Sequence, residues 1–166
     1  MKTAFIIIDV QNILVETGFE TQKLLEKISY LQDQARKQQI EIIYIQHIET
    51  EEALTSEDWK LSPLLKRQSD EKVFQKRYNS IFKETGLKEY LDQQGIEKLV
   101  LCGMQTEYCV DTSVKVAFEH GYKLVVPEGT VTTFDGDDIP AETINYFYEN
   151  IWDERFADVL DYKTIF

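Results

Sequence analysis

Three residues in this sequence have the types and positions to do covalent chemistry together: Cys109, Asp9 and Lys76. Cys109 follows an apolar run and the turn Gly103-Met104-Gln105-Thr106-Glu107-Tyr108, and it opens a stretch of helical period from Val110 to Phe118. At a helix N-terminus a sulfur meets unpaired backbone N–H groups and the positive end of the helix dipole. Both favour the thiolate, which predicts a lowered pKa. The same N–H groups can receive a carbonyl oxygen as it becomes an oxyanion. A free cysteine is also among the most buried residue types, so position alone leaves an inert packed thiol open. Asp9 ends the run Phe5-Ile6-Ile7-Ile8, where a carboxylate is costly unless it sits at the strand's end or is paired. A base beside a thiol is one use for it, and a turn or capping aspartate is the other. Lys76, in Val73-Phe74-Gln75-Lys76-Arg77, carries almost no signal by itself.

These residues need elements to bring them together. Four short apolar runs rich in β-branched residues read as buried parallel strands: Ala4 to Val10, Ile40 to Ile45, Leu99 to Leu101 and Leu124 to Val126. Weaker candidates at Lys72 to Gln75 and Ala157 to Leu160 bring the expected count to six. Between them Leu24, Leu25, Ile28, Leu31 and Ala35 form a core-facing helical stripe. Leu87, Tyr90 and Leu91 repeat that spacing before Gly95, Val110 to Phe118 before Gly121, and Ile144 to Ile151 after Pro140. Alternating strands and helices of these lengths predict a three-layer α/β/α fold with a mostly parallel sheet. Segments 49–71 and 127–139 have weaker periodicity and read as surface loops. In such sheets ligands bind beyond the carboxyl ends of the strands, which directs attention to Asp9, His47, Lys76 and the Gly103–Cys109 turn.

Taken together, Asp9-Val10-Gln11-Asn12, Lys76 with Asn79-Ser80-Ile81-Phe82, and Gly103-Met104-Gln105-Thr106-Glu107-Tyr108-Cys109-Val110 resemble the isochorismatase-like cysteine hydrolase family. The likeness continues through Thr112, Ala117, Gly121-Tyr122 and Thr133-Phe134-Asp135. It implies a sheet ordered 3-2-1-4-5-6, in which the first and fourth strands are neighbours and Asp9 and Cys109 converge. It further implies a catalytic set of Asp9, Lys76 and Cys109, a cis peptide between Met104 and Gln105, and an oxyanion hole from the N–H groups of Gln105 and Cys109. Amide hydrolysis through a Cys109 thioester is the activity implied most directly. Ether hydrolysis of the isochorismatase type is an alternative that does not depend on a cysteine.

Relatives that hold a metal carry an Asp-x-His element after the second strand; here the residues are Ile45-Gln46-His47, and the other histidine, His120, falls near a helix end. No metal and no cofactor are expected. Gln11, His47, Trp59, Tyr78, Tyr108 and Phe134 are candidates to line a substrate pocket, although ordinary packing would explain each aromatic. Pro127-Glu128-Gly129-Thr130 replaces the Asp-Ala that the family often shows after its fifth strand.

Composition narrows the remaining classes. The 166 residues suit one domain spanning 1–166, and a formal charge of −12 would repel nucleic acid and anionic membrane surfaces. The first residues read as a strand and not as a signal peptide, and no apolar stretch is long enough to cross a bilayer. Two cysteines seven residues apart argue against a disulfide scaffold and fit a reducing cytoplasm. A flavodoxin-like carrier would need a Ser/Thr/Gly-rich phosphate loop after the first strand, where this chain has Asp9-Val10-Gln11-Asn12. A thiol sensor would need a resolving partner, and Cys102 lies in an apolar run that predicts burial. The expected partners are a small-molecule substrate and further copies of the chain, as a dimer or tetramer.

Overall fold

The computed structural model describes all 166 residues. Its sheet contains β1 (Thr3–Ile8), β2 (Glu41–His47), β3 (Lys72–Lys76), β4 (Lys98–Met104), β5 (Lys123–Pro127), β6 (Val131–Thr132) and β7 (Asp158–Leu160). The strands run in the order β3-β2-β1-β4-β5-β7, every ladder is parallel, and β6 pairs separately with β4. The expected order is thus present, with the sixth predicted strand appearing as β7. β6 is a seventh strand, beyond the six expected from the sequence. It lies in a segment read as surface loop, yet Val131, Thr132 and Thr133 are buried. The reason is local: β5 pairs with β4 only as far as Val100 opposite Val125, and β6 covers the rest of that edge at Gly103 and Met104.

Alternation along the strands builds two cores. Ala4, Ile6 and Ile8 of β1, Ile43 and Ile45 of β2, and Leu99 and Leu101 of β4 join one cluster, beneath α3 (Leu87–Gln93), α4 (Asp111–Glu119) and α5 (Ala141–Trp152). Phe5, Ile7, Ile42, Tyr44, Val100, Cys102 and Met104 join the other, beneath α2 (Thr21–Lys37). Burying each of these larger side chains stabilises the fold by roughly 1.5–3 kcal/mol. The three-layer α/β/α arrangement follows from both faces being apolar. A further short helix, α1 (Asn12–Thr17), buries none of its residues fully, and no helix is long and apolar enough to cross a membrane.

Segment 49–71 is more ordered than a plain loop. It contains three 3₁₀ turns, Glu51–Leu54, Glu57–Trp59 and Pro63–Leu65, and Leu61 bridges back to Gln11. The β1–β4 pairing that brings the first and fourth strand ends together also needs Gly103. Its φ is +125°, and a Cβ there would stand 2.0 Å from the carbonyl oxygen of Ile8.

Candidate active site

The β1 run stops at Asp9, whose φ of 51° is a left-handed conformation that aspartate tolerates better than most residues. Its N–H still bonds the Ile45 carbonyl at 3.0 Å, so the chain turns at a fixed point above the strand ends. The carboxylate points to Lys76 at the end of β3: Nζ lies 2.8 Å from Asp9 Oδ2, with both side chains almost wholly buried. The ammonium also lies 3.1 Å from Cys109 Sγ, 3.0 Å from the Tyr78 carbonyl and 2.8 Å from His47 Nδ1. Four acceptors therefore share three N–H bonds. Asp9 Oδ1 is buried with no hydrogen-bond partner, leaving one carboxylate oxygen free to take a proton.

Cys109 sits within a π-helical turn, Thr106–Val110, that runs directly into α4. The turn is set by Val110 N–H bonding the Gln105 carbonyl five residues back. A cis peptide joins Met104 to Gln105 at the end of β4, where the sequence resemblance places one. The expected direction of the Cys109 pKa is corrected by its surroundings. Burial first, and then the negative charge of Asp9, push the thiol up to about 12, outweighing Lys76. At rest the group is a thiol. Burial also raises Asp9, against the lowering effect of Lys76, making it a stronger base than an exposed carboxylate. His47 is lowered to about 4 by burial and by the Lys76 charge.

The sulfur opens on a cavity of about 280 Å³. Of the pocket candidates, His47, Trp59 and Tyr108 line it, together with Gln105, the residue expected at the oxyanion hole. Gln11 does not: its Nε2 donates to the carbonyls of His47 (3.0 Å) and Trp59 (2.5 Å), and its Oε1 accepts from His47 N–H at 2.8 Å. The amide is spent holding the end of β2 and the Trp59 turn beside Asp9, so Gln11 positions the walls without forming one. Tyr78 turns its ring to Lys83, whose Nζ is 3.9 Å from the ring centroid, and reaches the site only through its carbonyl. Phe134 packs against the second core. Met104 is fully buried in that same core, so its part in the site is the backbone of the cis peptide. Leu14, Glu49 and Asn79 complete the lining; Asn79 was visible in the motif, whereas Leu14 and Glu49 had no sequence signal. Asn79 is brought over Cys109 because its neighbour Ile81 is fully buried and bonds Ser113 Oγ on α4.

One group of side chains converges closely enough to hold a metal: donor atoms of Asp9, His47 and Cys109 all lie within 4.8 Å of one another. Lys76 Nζ already stands among them at 2.8, 2.8 and 3.1 Å, so an ammonium supplies the positive charge these donors share. The set does not fit a metal while Lys76 is present. Cys102 packs in the opposite core from Cys109 and is fully buried, which removes it as a resolving thiol.

Residues 3–163 match the family described as Isochorismatase domain. The chain is 29% identical over 162 residues to the isochorismatase family protein YddQ of Bacillus subtilis, covering 89% of each. It is 28% identical over 144 residues to streptothricin hydrolase of Streptomyces noursei, covering 83% of this chain and 51% of that protein. A shorter match, 30% over 93 residues, joins 56% of this chain to 41% of maleamate amidohydrolase from Pseudomonas putida. Among solved structures, an isochorismatase family protein superposes with a TM-score of 0.92 at 30% identity, covering 96% of this chain and 98% of the other.

Proposed function

The chain belongs to the isochorismatase domain family, and from that premise we propose that it is a cysteine hydrolase cleaving a small-molecule amide through a thioester on Cys109. The observation that carries this reading is the placement of Lys76 Nζ between Asp9 Oδ2 and Cys109 Sγ, with Asp9 Oδ1 left unpaired. Moving the thiol proton to Asp9 leaves the net charge of the three groups unchanged. Lys76 stays in contact with whichever partner carries the negative charge, so the transfer needs no solvent reorganisation.

The thiolate then attacks the amide carbonyl, a C–S bond forms, and the carbonyl electron pair moves to oxygen, facing the N–H groups of Gln105 and Cys109. Collapse breaks the C–N bond, and the leaving amine takes the proton from Asp9. A water gives its proton back to Asp9 as it attacks the thioester, and the sulfur leaves to be reprotonated. The names of two similar proteins, a hydrolase of streptothricin and a maleamate amidohydrolase, support an amide or related C–N bond as the target.

The test is a panel of primary amides, lactams and N-carbamoyl compounds followed by intact-mass spectrometry. A substrate should add its acyl mass to Cys109 and be turned over. Cys109→Ala should lose about 10³-fold or more of the rate. An undiminished rate in that variant would remove the covalent mechanism.

A further inference from the structure

The pocket's charge is as informative as its chemistry. Asp9 is offset by Lys76 at 2.8 Å, and His47, which accepts from that lysine at Nδ1, is neutral. Among the lining residues this leaves Glu49 as the one charge without a cationic partner. His47 Nε2 stands 3.8 Å from Glu49 Oε1, and the Glu49 side chain is 62% exposed. Two cations of the flanking loops are committed elsewhere, Arg77 to Glu51 and Lys60 to Glu57. Trp59 and Tyr108 supply aromatic walls, the Trp59 ring lying 6.1 Å from that of His47 and Tyr108 standing 55% exposed.

From this arrangement we infer that the site selects substrates carrying a positive charge, with Glu49 as the specificity-determining carboxylate and Trp59 and Tyr108 as its aromatic walls. A carboxylate and π-faces attract the same ligand class, an ammonium or guanidinium, and each disfavours an anion. The −12 charge of the chain steers in the same direction. The amide part of the substrate class rests on the hydrolase reading above; the cation selection rests on the pocket alone.

Thiol labelling tests the selection without requiring turnover. Three methanethiosulfonates of similar size and different charge would be used: the trimethylammonioethyl, sulfonatoethyl and methyl reagents. Rates at Cys109 are read by mass spectrometry and divided by the rates of the same reagents with 2-mercaptoethanol. The cationic reagent should exceed the anionic one by about fivefold or more at low ionic strength, with the ratio shrinking as salt is added. Glu49→Gln should bring the ratio toward unity. Glu119→Gln, which makes the same charge change at the far end of α4, should retain it. A ratio at or below one, a ratio indifferent to Glu49→Gln, or no labelling even by the methyl reagent would overturn the inference. Cation selection without hydrolysis of any amide would leave this inference standing and sink the hydrolase reading. Hydrolysis of neutral or anionic amides with no charge ratio would do the reverse.

Discussion

His47 Nδ1 lies 2.8 Å from the Lys76 ammonium, and because an ammonium can only donate, that ring nitrogen must be the acceptor and the imidazole proton must sit on Nε2. The histidine is therefore held neutral by geometry. Protonating Nδ1 would set two donors against each other.

The first expectation concerns this ring. Burial and the Lys76 charge hold its pKa at about 4 against an ordinary 6.5, so the folded state resists protonation. For a depressed pKa the sign is fixed: the stability contribution is present above pH 6.5 and is lost as the pH falls toward 4. An NMR titration of the His47 Cε1 proton should show its midpoint near that lower value, and Lys76→Met should move it upward. A midpoint at the ordinary value in the native protein would contradict the contact.

Cys109 provides a second. With its thiol pushed up to about 12 from an ordinary 9.0, it holds about 10³-fold fewer thiolates at neutral pH than an exposed cysteine would. Its direct alkylation by iodoacetamide should be slow near pH 7 and rise only in strong alkali. Asp9→Asn removes a charge that raises the thiol, so it should shift that rise to lower pH. Lys76→Met removes one that lowers it and should shift the rise higher. Rapid labelling at neutral pH would instead mean that the thiolate is preformed.

Gly103 supports the site without facing substrate. An added Cβ would meet the Ile8 oxygen at 2.0 Å and the Ile8 nitrogen and carbonyl carbon at 2.8 Å, all backbone atoms that cannot swing aside. Gly103→Ala should cost about 3 kcal/mol or more, measured by urea unfolding, because β1 and β4 would have to separate next to Asp9. A loss below about 0.5 kcal/mol would show that the strands adjust freely.

Reading such features from sequence succeeds where one physical constraint dominates. β1, β2, β4 and β5 are continuous apolar runs because both faces of a parallel sheet are covered, and that leaves a plain signature. β6 escapes because its two residues satisfy a gap along one edge of β4, and α1 escapes because it buries no residue fully. Asp9 and Cys109 are legible from their strand-end positions, whereas Lys76 becomes so only through the whole motif. The role of Gln11 depends on carbonyls 36 and 48 residues away, which no local pattern encodes. The Cys109 pKa departs from the sequence expectation for a similar reason: the helix terminus is visible in the sequence, but the burial and the neighbouring Asp9 charge that outweigh it come from the fold.

The last expectation follows from what Lys76 displaces. Asp9, His47 and Cys109 offer a carboxylate oxygen, an imidazole nitrogen and a sulfur within 4.8 Å of one another, a donor set suited to Zn²⁺ or Co²⁺. The ammonium stands between them and repels a second cation. Removing it in Lys76→Ala takes away that charge, opens the space it filled, and allows a metal to stabilise the Cys109 thiolate that burial otherwise resists. Titrating that variant with Co²⁺ should produce a thiolate-to-cobalt charge-transfer band. The band should be absent from the native protein and from Lys76→Ala combined with Cys109→Ser. If the native protein gives the same band, Lys76 is not what keeps a metal out. If neither gives one, the three donors cannot converge on a single ion even when the lysine is gone.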